Sequence, residues 1–168
     1  METTLTPLLV EIGATLEETG GALQYVLVFV FAAIPLIEIL VVVPIAIGLG
    51  LNPIATGVVA FAGNALSVCG LVVFHRRLTE WWRARRGTNE SEGGGRYARA
   101  RRLWDRYGLP GLSLGGPVLT GVHVAALVAL FAGSRSRAVV GWMTVSIGAW
   151  TALLVAGSVF GFSVLGLL

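Results

Sequence analysis

One acidic residue, Glu38, lies inside a long apolar stretch and is the residue of this chain best suited to proton or cation chemistry. Residues 21–50 contain this single charge. Burying a carboxylate in a membrane is costly unless it is paired, solvated or protonated, and intramembrane acids are functional by default. Glu38 follows Pro35 by three residues, so it falls in the first turns of a helix beginning there, where the helix dipole favours an anion. We predict that Glu38 exchanges a proton or binds a cation. The alternative is a hydrogen-bonded Glu38 that holds helices together.

Three further polar residues lie in apolar stretches: Thr120 and His123, which follow Pro117, and Asn64. If the stretch around Pro117 approaches Glu38, then Thr120 and His123 face its carboxylate. For His123, a hydrogen bond to a neighbouring helix is an equally good explanation. For Asn64, a hydrogen bond between helices is as good an explanation as contact with substrate. We predict that these three residues and Glu38 form a site that binds substrate or protons.

Hydrolytic and metal chemistry fit the sequence poorly. Residues 111–115 have the pattern G-x-S-x-G around Ser113, but a nucleophile elbow needs a strand-to-helix turn and an acid in addition to a histidine. His123 is the sole candidate base for Ser113. Cys69 is the single cysteine, which excludes an intrachain disulfide and a cysteine-based metal site. We predict that the protein is not an enzyme and uses no metal or cofactor.

The composition places these residues in a membrane. Hydrophobic residues make up 55% of the 168-residue chain and charged residues 12%, against about 25% charged in soluble proteins. Residues 54–74 carry no charge and suit one membrane span, and residues 138–168 are long enough for another. We predict an all-α integral membrane protein of a single domain.

Two other apolar stretches, residues 21–50 and 107–133, are interrupted by proline. Pro35 and Pro44 lie in the first and Pro117 lies in the second. Because proline removes a backbone donor and clashes with the preceding turn, we predict these three as structural hinges. The pieces on either side of Pro35 would be about 20 Å long, against a hydrocarbon core of about 30 Å. The first stretch is therefore either one kinked, tilted span or a hairpin that enters and leaves by the same membrane face.

The arginines favour hairpins. All 12 basic residues are Arg, and ten of them lie in residues 75–106 with four acids. Arg135 and Arg137 occupy the next short turn. With four plain crossings this turn would lie outside the cell, whereas with two hairpins every Arg lies in the cytoplasm, as the positive-inside rule prefers. Since arginine beside a span is ordinarily a topology signal, we predict no nucleic-acid partner.

The two halves of the chain also show a weak repeat. Three residues of the first half recur in the second at offsets of 82 to 85: Pro35 and Pro117, Gly50 and Gly133, Gly63 and Gly148. Inverted halves of this kind are common in secondary transporters. We predict two inverted repeats, each a re-entrant or broken hairpin followed by a transmembrane helix, and we expect Gly63 and Gly148 at close helix contacts.

The predicted organisation has four parts. The first two parts are an acidic surface helix at 1–20 and a first repeat at 21–74, which consists of a broken hairpin (21–50) and a span (54–74). The other two parts are an Arg-rich cytoplasmic loop with interfacial helices at 75–106 and a second repeat at 107–168, which consists of a broken hairpin (107–133) and a span within 138–168.

The segment IPLIEILVVVPIAIGLGL, residues 34–51, resembles the hallmark of the small multi-drug export protein family. That hallmark is a Pro-x-x-Glu, a Pro six residues after the Glu, and a Gly-bearing turn. AGNALS at residues 62–67 resembles the Gly-Asn of the family's next span. The resemblance covers roughly residues 25–165 and implies kinship with the DedA-like superfamily, which is thought to have two facing re-entrant hairpins. The chain departs from the family at Leu40, where members often carry Arg, and at residues 117–121, which only approximate the family's Pro-Gly-Thr-Gly tip.

This resemblance implies a transporter of a small or amphipathic substrate in a prokaryotic cell membrane, and the residues suggest proton coupling through Glu38. Two alternatives stay open: movement of a lipid or lipid carrier between leaflets, which the DedA-like resemblance suggests, and a structural subunit without transport activity. The expected partners are membrane lipid and a small-molecule or lipid substrate. Gly157-x-x-x-Gly161 suits a helix contact within the protein or in a homo-oligomer.

Overall fold

The computed structural model describes residues 5–35, 37–83 and 95–166, and these ranges are all-α, as predicted. The helices are α1 (Leu5–Glu18), α2 (Ala22–Ala33), α3 (Glu38–Gly48), α4 (Pro53–Arg83), α5 (Gly95–Leu119), α6 (Val122–Phe131) and α7 (Ser136–Val164). Two segments are long and apolar enough to cross a membrane, Pro53–His75 and Ser136–Val164. Both lie where the sequence predicts a span.

The chain forms two compact units, which we call unit 1 (Met1–Asn64 and Ile147–Leu168) and unit 2 (Ala65–Ser146). The boundaries fall inside α4 and α7, so each unit includes part of both long helices. Unit 1 also contains α2 and α3, and unit 2 contains α5 and α6. Each proline-interrupted stretch therefore belongs to its own unit.

The first proline-interrupted stretch, residues 21–50, folds back on itself. α2 and α3 contact each other across a turn that contains the exposed Pro35. The backbone N–H of Asn52 donates to Oη of Tyr25 at 3.1 Å. In one continuous helix these two residues would lie about 40 Å apart. The stretch is therefore a hairpin of two short helices and not one kinked helix, whereas its entry and exit by one membrane face stays a prediction.

The second stretch also forms two short helices. Gly108, with φ 63° and ψ −159°, interrupts α5, so residues 109–119 form a separate helical segment. This segment contacts α6 closely, because a Cβ added to Gly116 would lie 2.6 Å from Cβ of Ala125. The close approach of the two backbones explains why a residue without a side chain occupies position 116.

The three prolines predicted as hinges lie in different settings. Pro35 is in the turn of the first hairpin, whereas Pro117 is helical and precedes the turn of the second hairpin. Pro44 is inside α3, which continues through it. Pro35 and Pro117, matched in the sequence repeat, therefore do not occupy equivalent positions in their hairpins.

The ends of the two hairpins do match, down to individual hydrogen bonds. Gly50 and Gly133 both have positive φ angles, 85° and 89°, and each terminates a helix with the bonds of a glycine C-cap. After the first hairpin, the backbone N–H of Leu49 donates to the carbonyl of Ile45, that of Gly50 to Ile47 and that of Leu51 to Ala46. After the second, the N–H of Ala132 donates to Val128, that of Gly133 to Leu130 and that of Ser134 to Ala129. Every donor and acceptor recurs 83 residues later. The two hairpins thus end with the same backbone geometry, while the two inverted repeats stay a prediction.

Helix α1 packs on the first hairpin. It contacts α2 and α3, and Ile12 and Leu16 are buried. The side-chain amide of Gln24 donates to the carbonyl of Leu16 at 2.9 Å. The sequence predicts a helix on the membrane surface, but at Ile12 and Leu16 the apolar side of α1 is covered by protein.

The Arg-rich region differs in part from the prediction of separate interfacial helices. α4 runs on from its membrane-length segment, which ends at His75, to Arg83, so residues 76–83 continue that helix and do not start a separate one. Residues 95–107 form the first part of α5, ahead of the interruption at Gly108. Residues 84–94 of the predicted loop lie outside the described residues.

Gly63 and Gly148 differ in how closely their neighbours approach. A Cβ on Gly63 would overlap the backbone carbonyl of Phe29 in α2, whereas a Cβ on Gly148 would meet the ring of Phe61 at an ordinary 3.5 Å. The expectation of a close helix contact is confirmed for Gly63. It is wrong for Gly148, where the nearest group lies far enough away to accommodate a methyl.

We predict that Gly63→Ala destabilises the protein and that Gly148→Ala, the matched control, does not. The added methyl at position 63 must push α2 away from α4, at a cost of about 1–3 kcal/mol. This corresponds to a fall in melting temperature on the order of 5 °C. Thermal unfolding in detergent, followed by circular dichroism, measures both variants. Equal melting temperatures for the two variants would contradict the close contact between α2 and α4.

Candidate functional site

Glu38 is buried at the first residue of α3, directly after the turn of the first hairpin. It is 3% exposed, and it lies in the first turn of a short helix as predicted. Its φ angle is 49°, and within the described ranges it is the only residue other than glycine with a positive φ. A non-glycine residue in such a conformation costs about 1–3 kcal/mol, and strained residues cluster at functional sites. The fold thus places a carboxylate where glycine would fit more easily.

A second buried polar group of unit 1 lies on the inner side of α4. Asn64 is fully buried, and neither its Oδ1 nor its Nδ2 has a hydrogen-bond partner among the described residues. Oγ1 of Thr56 is also buried without a hydrogen-bond partner among the described residues, and Thr56 lies two turns before Asn64 on the same row of side chains spaced four residues apart. Leaving a buried polar group unsatisfied costs about 1–3 kcal/mol. Within the described residues Asn64 makes no side-chain hydrogen bond to a neighbouring helix, and its contact with a substrate stays a prediction.

The second hairpin carries Thr120 and His123 at its turn, and both are buried. Oγ1 of Thr120 lies 3.2 Å from the carbonyl of Gly116 and 3.3 Å from that of Gly121, so this hydroxyl helps to close the turn. Nε2 of His123 lies 2.9 Å from Oγ of Ser67 in α4. This is the bond to a neighbouring helix that the sequence offered as one explanation of His123.

Ser67 is a candidate site residue that the sequence analysis missed. It follows Asn64 by three residues, a spacing that places both on one face of α4. That spacing was available in the sequence. The histidine that Ser67 binds is 56 residues away, and no local pattern connects the two.

The four predicted site residues divide between the units. Glu38 and Asn64 belong to unit 1, and Thr120 and His123 belong to unit 2. All four are buried within segments that the sequence identifies as apolar. Their convergence on a single cavity stays a prediction.

Ser113, the centre of the G-x-S-x-G pattern, is an ordinary helical serine. Its hydroxyl donates to the carbonyl of Leu109 at 2.8 Å, and its own carbonyl accepts from the hydroxyl of Ser146 at 2.6 Å. A nucleophile elbow requires a strand-to-helix turn that exposes the serine, whereas Ser113 is buried inside the helical segment 109–119. Within the described ranges no group of three or more His, Cys, Asp or Glu side chains is arranged to hold a metal ion.

A family model described as "Putative small multi-drug export protein" matches residues 38–155, more than two thirds of the chain. The chain belongs to this family. The match begins at Glu38 and includes Asn64, Thr120 and His123. The resemblance noted in the sequence is thereby confirmed for the export family. Comparison with curated proteins and with solved structures finds no match.

We predict that Asn64→Leu makes the protein more stable. Leucine has the same number and branching of side-chain heavy atoms as asparagine and removes an amide that has no bonding partner, so stability should rise by about 1 kcal/mol, or about 2–4 °C in melting temperature. Thr56→Val is the matched control, since it removes an unpartnered hydroxyl from the same ridge at constant shape. If Asn64→Leu instead lowers the melting temperature while Thr56→Val does not, Asn64 holds helices together and is not available to a ligand.

Proposed function

We propose that this member of the small multi-drug export family moves a small or amphipathic substrate across the prokaryotic cell membrane in exchange for protons carried by Glu38. The observation that carries the proposal is the placement of Glu38: a buried carboxyl on a strained backbone at the tip of a hairpin. A purely structural role would be served by an uncharged residue at lower cost.

The lengths of the helices support a tip inside the membrane. α2 has 12 residues and α3 has 11, so they are about 18 and 17 Å long, against a hydrocarbon core of about 30 Å. Helices of this length end near the middle of a bilayer. Non-helical backbone is tolerated at that depth where it is enclosed by protein or lines a cavity with water.

A carboxyl at this position couples two ligands through charge. When ionised, Glu38 stabilises a cationic group of a substrate in surroundings where the cation has few other partners. When protonated, it holds no net charge and releases the cation. Competition of a proton and a cationic amphiphile for one carboxyl therefore links inward movement of the proton to outward movement of the substrate. The unpartnered amide of Asn64, in the same unit, offers a hydrogen-bond donor and an acceptor to the neutral part of the ligand.

A second candidate, translocation of a lipid, is favoured by an open groove in unit 1. The groove has a volume of about 530 Å³ and lies between the start of α4 and the end of α7. Its lining is mostly apolar and consists of Asn52, Pro53, Ile54, Val155, Ala156, Val159, Phe160 and Ser163. An acyl chain fits such a lining as well as the apolar part of a drug does, so the substrate panel must include both.

We predict that the proton-driven part of transport disappears in Glu38→Gln. The amide keeps the shape of the side chain but neither ionises nor carries a proton. Purified protein in proteoliposomes, with an imposed pH gradient, is tested against cationic amphiphiles, neutral drugs and labelled phospholipids. Glu18→Gln changes an exposed glutamate of α1 and serves as the control, and Ser113→Ala tests hydrolysis.

Three results are distinguishable in this experiment. Loss of drug movement in Glu38→Gln alone supports proton-coupled export, and loss of phospholipid movement alone supports lipid translocation. Wild-type rates in Glu38→Gln would overturn the assigned role of Glu38.

The proposed topology places the N-terminus outside the cell and every Arg in the cytoplasm. Arg135 and Arg137 are exposed next to the start of α7, and Asn52 is exposed next to the start of α4. In a Cys69→Ala background we expect Asn52→Cys to react with an impermeant maleimide from outside. Ser134→Cys should react only from the cytoplasmic side, because the positive-inside rule keeps the adjacent arginines there. Labelling of both cysteines from the same side would show that α4 and the second hairpin do not have the proposed arrangement.

A further inference from the structure

The two units differ sharply in charge. Unit 2, residues 65–146, contains all 12 arginines and four of the nine acids, whereas the other five acids belong to unit 1. Unit 2 therefore carries a formal net charge of +8 and unit 1 a net charge of −5, in agreement with the +3 of the whole chain. An excess of one sign on this scale attracts a partner of the opposite sign.

A contact between two rings joins two of the segments that carry arginine. The rings of His75 in α4 and Phe131 at the end of α6 meet edge to face, with their centroids 4.8 Å apart. Arg77 follows His75 by two residues, Arg135 follows Phe131 by four, and both arginines are exposed. The contact thus brings exposed guanidinium groups from two distant parts of the chain to the same end of unit 2.

The start of the second hairpin adds a further arginine at this end. The helical segment 109–119 and α6 pack against each other on either side of their turn, so residues just before 109 and just after 131 lie together. Arg106 is exposed there, and its guanidinium carbon lies 5.3 Å from the centre of the Tyr107 ring. Four exposed arginines are found at this end of unit 2, and we call them the basic face: Arg77, Arg106, Arg135 and Arg137.

Exposed apolar side chains lie beside the basic face. Phe74, next to His75, and Phe131 are each 62% exposed, and Tyr107 is 55% exposed. A guanidinium group matches the oxygens of a phosphate with paired hydrogen bonds. Cations next to exposed aromatic rings suit an amphiphile that has a phosphate head and hydrocarbon chains, whereas free phosphate and nucleic acid would leave the apolar part uncovered.

We propose that the basic face binds the phosphate headgroup of an anionic phospholipid, whose acyl chains lie against Phe74 and Phe131. The site is separate from Glu38 and does not depend on the proposed function, because the lipid is a bound partner and not the substrate. A headgroup held by Arg77 and Arg135 links α4 to the open end of the second hairpin. Binding of the lipid therefore stabilises unit 2.

Titration of the purified full chain with phosphatidylglycerol in an uncharged detergent tests the site. Native mass spectrometry counts the bound lipids, and circular dichroism follows thermal unfolding. Since a ligand that binds the folded state raises the melting temperature, we expect a rise with phosphatidylglycerol and a much smaller one with phosphatidylcholine, which has no net charge. Added salt should reduce the rise, because it screens charges at an exposed surface.

Other sources of phosphate give distinguishable results. Glycerol phosphate has the head without the acyl chains, and a short single-stranded oligonucleotide has phosphodiesters without them. We expect neither to raise the melting temperature. An equal rise with either compound would overturn the assignment to a lipid, and so would equal rises with the two phospholipids.

Substitutions locate the site on the protein. An arginine near an anionic lipid surface strengthens binding about fivefold, so the dissociation constant for phosphatidylglycerol should rise about fivefold in Arg77→Gln and about 25-fold in Arg135→Gln with Arg137→Gln. Arg135→Lys with Arg137→Lys keeps both charges and should retain most of the affinity.

The matched control is Arg85→Gln with Arg86→Gln, which makes the same change in net charge at residues outside the described ranges. We expect this control to bind phosphatidylglycerol within about twofold of the wild type, since the four arginines of the basic face are intact. An equal loss of affinity in the control would show that net charge alone attracts the lipid. Unchanged affinity in Arg135→Gln with Arg137→Gln would likewise overturn the proposal.

Discussion

Backbone hydrogen bonding in apolar surroundings is the constraint on which both hairpins depend. A chain that reverses direction inside such surroundings must pair the carbonyls and N–H groups that its short helices leave unsatisfied. The two hairpins end in the same way, with the glycine C-caps at Gly50 and Gly133, after α3 and α6. Thr120 adds its hydroxyl at the second turn, and Tyr25 accepts the N–H of Asn52 beyond the first hairpin. These bonds pair backbone groups that the ends of the short helices would otherwise leave unsatisfied.

The same constraint shows which polar side chains are exceptional. Hydroxyls such as those of Ser113 and Thr151 are satisfied within their own helices, so their burial costs little and indicates no function. Asn64 differs, because its amide is buried without a partner in the described part of the chain. Glu38 differs in another way, because its backbone is strained as well as buried. The strained backbone of Glu38 and the unsatisfied amide of Asn64 are the physical support for the proposal that these two residues belong to a ligand site.

Close packing within the units depends on residues with little or no side chain. Gly63 lets α4 approach the carbonyl of Phe29, and Gly57 lets it approach Val155 of α7, where an added Cβ would be 2.8 Å from a methyl. Gly116 performs the same role against Ala125 in unit 2. Since apolar surroundings give no hydrophobic drive for helices to associate, such contacts supply much of the attraction by van der Waals packing. Gly157 and Gly161 meet no such neighbour among the described residues.

The sequence by itself determined the helical class, both membrane-length helices, the break at Pro35, the place of Glu38 in the first turn of a helix, and the export family. These follow from hydropathy, proline chemistry and a short motif, which are local. Tertiary structure decided what local rules leave open. Proline predicts that a helix is interrupted but not which way the chain continues, and only the Tyr25–Asn52 hydrogen bond shows that the chain folds back. Gly63 and Gly148 look alike in sequence, but only Gly63 faces a backbone. Ser67 and His123 are 56 residues apart, and only the packing of α4 against the second hairpin makes them partners.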